Sequence, residues 1–486
     1  MEFYSVEFAV FFIFVMLVLI ALKKQKFQHF FLLAVSYFFY WTTSNNFLII
    51  LLFISLITFY AGDAIYKAEN SVRKKTILIV ASLATLSFLG FFKYYNFGIV
   101  NLNHLLSLLQ LDQGFSLIAL VFPIGISFYT FSGLSYIFDI YLGKLKPEEH
   151  FYKYALFISY FPHLLAGPIV RAGQFLPQLQ KHFDFSAKGL KLGITLITWG
   201  FFKKILIADT IAPFVTATFA DPQGSTSVTI IIATILFGIQ IYCDFSGYID
   251  IALGCANIIG LHLPENFNRP YFSKSPTEFW RRWNITLSSF IKDYIYIPLG
   301  GNRKGKLRTY SNLIASMLLC GLWHGAAWNF VLWGGYHGVL LSLHKMTHNR
   351  FSFGERVDRV LDTHCGLFIK ILITQYFIFL GWLIFRFQNL EDLEYCIKKY
   401  LFIDFTYTQI ELLASVIIIL AGVTFFLVLL LNTKFSDFFV RILQLDWISA
   451  VSSFRLSYWF IYLCSIILLL FMFSPSSSPA FIYFQF

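Results

Sequence analysis

The sequence predicts an all-α, polytopic integral membrane protein. Three observations predict it. Of the 486 residues, 58% are hydrophobic and 13% charged, and 60 are phenylalanine. No soluble globule could cover such a core with so little polar surface. Apolar runs of about 17–22 residues recur along the chain, the length that crosses a bilayer as a helix. The basic residues gather in short loops between those runs, which is the positive-inside pattern.

The first run, 5–22, carries Glu2 and Glu7 and is followed by the basic cluster KKQK at 23–26. A cleaved signal peptide has the opposite polarity. The expectation is an uncleaved first span with its N-terminus outside. Further spans are expected at 27–43, 47–62, 77–92, 117–138, 152–168, 190–208, 227–243, 310–323, 327–344, 367–387, 410–431 and 456–474. The 152–168 segment and the two pieces around His324 read as partial spans. That leaves about 11 transmembrane helices, within roughly 9–13, plus interfacial or re-entrant ones. KKQK and the loop 63–76, with Lys67, Arg73, Lys74 and Lys75, belong inside, and the uncharged turn at 43–46 outside. Lys434, Arg441 and Arg455 precede the last span, which places the tail SPSSSPAFIYFQF outside. No linker, low-complexity tract or clear repeat divides the chain, so 1–486 reads as one domain.

The stretch 262–309 is the longest of mixed polarity, with Arg269, Lys274, Arg281, Arg282, Lys292, Arg303, Lys304, Lys306 and Arg308. It should face the cytoplasm. Ser275-Pro276-Thr277-Glu278 has the form of a helix start: cap, proline at the first position, glutamate three after the cap. The helix would then present Phe279, Trp280, Trp283 and Leu287 as an amphipathic face at the inner membrane interface.

The net charge is +11, from 37 basic against 26 acidic residues. Because the basic residues sit in loops between spans, topology accounts for them and nucleic-acid binding does not. The cysteines Cys243, Cys255, Cys320, Cys365, Cys396 and Cys464 show no CxxC spacing, and most lie in apolar surroundings. They read as small buried hydrophobes, with neither a metal cluster nor a disulfide framework.

His324 is the first candidate for chemistry. It is the only ionisable group in GLWHGAAWNF (321–330). An ionisable ring inside a membrane is rare without a task. Gly321 and Gly325, and Gly334 and Gly338, form GxxxG pairs, so His324 either bonds across a close helix interface or acts as a general base. Imidazole, with an ordinary pKa near ~6.5, can accept a hydroxyl proton at neutral pH. Asn284, in WRRWNITLS, is either a polar-face residue or the holder of an acyl carbonyl, since an amide both donates and accepts. Arg281, Arg282, Arg303, Lys304 and Lys306 either mark the cytoplasmic side or bind the phosphates of a nucleotide-bearing donor. GGNRKGK (300–306) lacks the spacing of a P-loop, which excludes nucleotide hydrolysis. Asp244 and Asp250 sit in an apolar run, where each costs about 2.5–3.5 kcal/mol to insert. They line a polar cavity or pair with basic residues. His344 and His348 have an i,i+4 spacing compatible with metal, but beside Lys345 and Arg350 at a span end they read as surface residues.

Six ordered segments carry a family resemblance: FPIGISFYTFSGLSYIFDIYLG (122–143), FPHLLAGPIVR (161–171), DFSGYIDIALG (244–254), LPENFNRPYFSKSPTEFWRRWNITLS (263–288), YIPLGGNRKG (296–305) and GLWHGAAWNFVLWGGYHG (321–338). Together they closely resemble the membrane-bound O-acyltransferase family, and its bacterial branch that acetylates alginate, peptidoglycan and other envelope polysaccharides. The resemblance is dense over 120–345. It implies a membrane-bound O-acyltransferase fold with a central funnel. It implies His324 as catalytic base, Asn284 as the second signature position, and no metal. The alginate-type pattern reads WRRWH where this chain has WRRWN. Asparagine there is similar to branches that acylate lipids and proteins, so the departure bears on the acceptor and not on acyl transfer. The resemblance further implies acetyl-CoA as donor, held by Arg281, Arg282, Arg303 and Lys304. It implies a polysaccharide acceptor, a separate extracytoplasmic acetyltransferase or esterase-like partner, and a multi-pass location in a bacterial inner membrane among its lipids. The competing readings are an acyltransferase for lipids or glycolipids, and a transporter or flippase. The transporter reading predicts half-repeats, which the sequence does not show.

Overall fold

The computed structural model describes residues 1, 3–111, 114–348, 363–402, 447–475 and 481–482. The expected span 410–431, the topology markers Lys434 and Arg441, Arg350, and the side chains of His348 and Cys365 lie outside the described residues. Every helix and turn among the described residues is helical in type, and none of them forms a strand.

The chain begins with a group of long apolar helices: α1 (Val6–Ala21), α2 (Gln25–Ser44), α3 (Leu48–Lys67) and α4 (Ser71–Leu108). Ser5 caps α1, its hydroxyl accepting from the Phe8 N–H at 3.2 Å. The Gln28 amide donates to the carbonyls of Leu19 and Leu22, which the end of α1 leaves unpaired. α4 has 38 residues, about 57 Å at 1.5 Å per residue, longer than a hydrocarbon core of about 30 Å.

The expected span 117–138 starts late. α5 runs Ile126–Tyr141, and 114–121 is not helical. Pro123 removes a helix donor, and Gly125 holds a left-handed φ of 82°. This segment pairs with α4 through Asn96, which exchanges bonds with Ile118, and Asn103, which does so with Phe115. The segment 152–168, expected to span only in part, is broken into α6 (Phe151–Ser159) and α7 (Phe161–Leu164), where Pro162 follows the break. A short α8 (Ala172–Phe175) leads to the next long pair.

α9 (Ala187–Phe201) runs into a π-helical turn (Phe202–Ala208) and then α10 (Asp209–Ala220). α10 lies outside every expected span. The next span, expected over 227–243, is the 33-residue α11 (Ser227–Ile259). Its second half carries Asp244 and Asp250 and remains helical because both acids find lysines on the π turn. α9 and α11 meet backbone to backbone. A Cβ on Gly200 would stand 2.6 Å from the Gly247 carbonyl, so only glycine fits.

Within 262–309, the amphipathic helix expected to start at Ser275 and to carry Phe279, Trp280, Trp283 and Leu287 is broken in two. Ser275 caps α12 (Pro276–Arg282), accepting from Glu278 N at 3.2 Å, as its sequence predicts. The helix then ends, and a new one, α13 (Ile285–Ile291), begins after Asn284. Phe279, Trp280, Trp283 and Leu287 are all buried in protein, so this segment is core and not an interfacial face. A π turn (Lys292–Tyr296) follows, then the hairpin α14 (Lys306–His324) and α15 (Trp328–His348). The described chain closes with α16 (His364–Arg386), α17 (Leu390–Leu401), α18 (Trp447–Ser453) and α19 (Leu456–Phe473).

Five helices among the described residues are long and apolar enough to cross a membrane: α3, α4, α11, α16 from Gly366 and α19. This supports a multi-pass membrane protein, but not the count of about 11. Several expected spans are shorter, such as the 16 residues of α5 and the 9 of α6. Others, such as α14, are more polar. The outer faces are strongly apolar. Val6 is 78% and Phe471 88% exposed, as lipid-facing side chains are. Cys243, Cys255, Cys320 and Cys396 are buried and free, and Cys464 is exposed.

Candidate active site

His324 is the last residue of α14. Gly325 leaves the helix in extended conformation, with φ −162° and ψ 156°. The preceding turn is pressed against α15. A Cβ on Gly321 would stand 2.1 Å from the Phe330 carbonyl, so this close approach accounts for the first glycine. The last carbonyls of a helix lack intrahelical donors. Here α4 supplies them. Lys93 Nζ donates to the carbonyls of Trp323 and His324, the latter at 2.9 Å, and the Tyr94 hydroxyl donates to Leu322 at 2.7 Å. A cation at this end also meets the negative pole of the helix dipole.

The imidazole is 5% exposed. Trp323, Trp333 and Phe385 stand edge-on to it, with ring centroids 4.9, 5.0 and 5.4 Å away. On one side opens a cavity of about 80 Å³, lined by His324, Trp323, Lys93, Phe122, Ile124, Gly125, Ser127, Phe128, Leu165 and Ala166. That volume is far below the 300–1,000 Å³ typical of a drug-sized ligand pocket. It suits a short acyl group.

Asn284 stands at the break between α12 and α13, with φ 41° and ψ 58°, and is 1% exposed. Left-handed backbone at a non-glycine residue is tolerated best by asparagine and aspartate. Asn266 fixes the break. Its carbonyl accepts from Ile285 N at 2.9 Å, and its Oδ1 accepts from the N–H and hydroxyl of Thr286 at 3.0 and 2.6 Å. The Asn284 and Asn266 Nδ2 groups are buried without a hydrogen-bond partner among the described residues, as are the indole N–H groups of Trp323, Trp333 and Trp382. Asn284 does not line the His324 cavity, and only a series of ring contacts starting at its neighbour Trp283 leads to His324. Trp283 lies 4.7 Å from Trp382, Trp382 5.8 Å from Phe385, and Phe385 5.4 Å from His324.

The basic candidates lie elsewhere. Arg281, Arg303 and Lys304 are exposed, and Arg282 pairs with Glu278 at 2.6 Å. Arg303 and Lys304 precede the first turn of α14, so the length of that helix, about 27 Å, separates them from His324. Asp244 and Asp250 take the pairing alternative. Asp244 meets Lys204 at 2.9 Å, Lys204 also meets Asp209 at 2.9 Å, and Asp250 meets Lys203 at 2.6 Å. The N–H of Ile482 donates to Asp244 at 2.7 Å. Neither acid lines the His324 cavity. His344 Nδ1 lies 3.0 Å from the Thr277 hydroxyl. Among the described residues, no group of three or more His, Cys, Asp or Glu is placed to hold a metal ion.

Three buried or cavity-lining residues escaped the sequence reading. Lys93 is a lone cation in the apolar run LGFFKYYNFG, a signal that could have found it. Asn266 lies in ENFN, where nothing local marks it. His337, 1% exposed, accepts from Trp280 Nε1 at 3.4 Å and stands 4.9 Å from Trp333, the ring that also touches His324.

A helical membrane chain with a buried imidazole at the end of a cavity is consistent with the match of residues 145–385 to the family model of the membrane-bound O-acyltransferases. With the relatives below, this shows that the chain belongs to the membrane-bound O-acyltransferase family. It is 35% identical over 364 residues to a peptidoglycan O-acetyltransferase of Helicobacter pylori, covering 69% of this chain and 67% of the relative. It is 41% identical over 315 residues to a probable alginate O-acetylase of Pseudomonas aeruginosa, covering 65% of this chain and 58% of the relative. A teichoic acid D-alanyltransferase of Bacillus subtilis is 28% identical over 271 residues, covering 54% of this chain and 68% of the relative. The chain spans about 58–63% of the length of the first alginate-type relatives it matches.

Proposed function

We propose that this protein transfers an acetyl group from cytoplasmic acetyl-CoA towards hydroxyls of an extracytoplasmic polysaccharide, such as an alginate-like polymer or peptidoglycan. The observation that carries the reading is His324, buried at the end of α14 and lining a cavity sized for a short acyl group. His324 takes the proton from the attacking hydroxyl as its oxygen meets the acyl carbonyl. Asn284 donates a hydrogen bond to the acyl group, and its buried amide N–H, without a partner among the described residues, supports that role. Arg281, Arg282, Arg303 and Lys304 contact the phosphates of the donor at the cytoplasmic face. A separate extracytoplasmic protein completes transfer to the polymer, and the chain sits in a bacterial inner membrane. The names of the alginate and peptidoglycan relatives support the acceptor class.

The test is to incubate the purified protein in lipid with acetyl-CoA labelled in its acetyl group. Protein-dependent label transfer or release is expected. Transport of a glycan with the thioester left intact contradicts the reading and favours a flippase.

A further inference from the structure

We propose that Lys93 is a further catalytic residue, whose ammonium group stabilises the oxyanion formed at the acyl carbonyl in the cavity it shares with His324. The inference rests on the acyl-transfer reading and adds a group to it. Lys93 comes from α4, far from His324 in sequence, yet both line the same cavity. An ammonium has three N–H groups. Two go to the carbonyls of Trp323 and His324, which leaves one for the cavity that Lys93 lines. No carboxylate among the described residues pairs with Lys93, whereas Lys203 and Lys204 have carboxylate partners. A cation in an apolar cavity with no anion of its own is matched to one that appears during reaction.

Capping alone does not account for it. Tyr94, the next residue, already caps Leu322 at the same helix end without lining the cavity. The two backbone bonds also fix the ammonium relative to the His324 main chain, the rigidity that preorganised stabilisation needs.

The step balances as follows. The hydroxyl oxygen bonds to the thioester carbonyl carbon while His324 takes the hydroxyl proton. The carbonyl π pair moves onto oxygen, giving an oxyanion that accepts a hydrogen bond from Lys93. Lys93 keeps its proton. The oxyanion then re-forms the carbonyl, the C–S bond breaks, and the thiolate takes the proton back from the imidazolium. Ester and thiol leave, and both side chains are restored.

The test uses the full chain in liposomes, with acetyl-CoA as probe and acetyl transfer or thioester hydrolysis as readout, at equal protein abundance. Lys93→Gln can still donate to the helix carbonyls but carries no charge. Its expected effect is a fall in kcat of about 10²-fold with KM for acetyl-CoA little changed, the signature of a bond made only in the transition state. Lys93→Met should fall at least as far, and Lys93→Arg should recover part of the loss. Tyr94→Phe, which removes a cap and leaves the cavity, should stay near the parent. Near-parental kcat in Lys93→Gln overturns the proposal. So does a loss confined to KM, or an equal loss in Tyr94→Phe. If the parent itself leaves acetyl-CoA intact, the acyl-transfer reading fails, and this proposal with it.

Discussion

Asn284 holds backbone angles that few side chains tolerate, and it presents a buried amide whose N–H groups have no partner among the described residues. Glycine would relieve the first property and abolish the second. Asn284→Gly should therefore match or exceed the parent's thermal stability, by up to about 1 kcal/mol, and lose most transfer activity. Asn284→Ala should lose both, since alanine keeps the strain. Asn284→His should retain some activity, because histidine also donates and restores the WRRWH pattern. Measuring melting temperature and acetyl transfer side by side separates these outcomes. Transfer at the parental rate in Asn284→Gly would remove Asn284 from the site. The sequence marked His324 as an ionisable ring in an apolar run, and the family resemblance marked both His324 and Asn284. It did not mark Asn266, whose role is to fix a helix break that only appears once residues 266 and 285–286 are brought together.

At the scale of elements, α11 joins the π turn after α9 through the buried pairs Lys203–Asp250 and Lys204–Asp244. Removing one partner of a buried pair strands the other charge, at about 3–5 kcal/mol. Lys203→Met should thus lower the melting temperature sharply in detergent, and adding Asp250→Leu should recover most of the loss. A double variant no more stable than Lys203→Met alone would show that the pair is not a closed unit. The sequence posed this question without answering it. Asp244 and Asp250 stood out as acids in an apolar run. Their partners lie some 40 residues upstream, on a π turn that helical periodicity does not foresee. The same limit explains the break between α12 and α13. Cap and proline predicted the start of α12, whereas its end depends on Asn266. The helix α10, by contrast, lay outside every expected span.

For the whole molecule, hydropathy was enough to give the class: an all-helical, multi-pass chain with apolar outer faces. It was not enough to give the number of spans, because several apolar runs fold as short or broken helices packed on protein, where they need not reach across a bilayer. Orientation follows from charge. The exposed loop carrying Arg303, Lys304 and Lys306 should face the cytoplasm. A cysteine at Gly305→Cys should react with an impermeant thiol reagent only when the inner face is opened, and labelling from outside intact cells would reverse the topology. With that orientation, α14 carries the chain from the basic loop to His324, so the proposed donor contacts at Arg303 and Lys304 and the proposed reacting group sit at opposite ends of one helix. The central claim is that the buried imidazole performs the transfer. The most direct measurement is acetyl transfer from labelled acetyl-CoA by His324→Ala and the parent, at matched abundance in lipid and with melting temperatures compared. The account predicts a folded variant with transfer lowered about 10²–10⁴-fold. Near-parental turnover in that variant would contradict it.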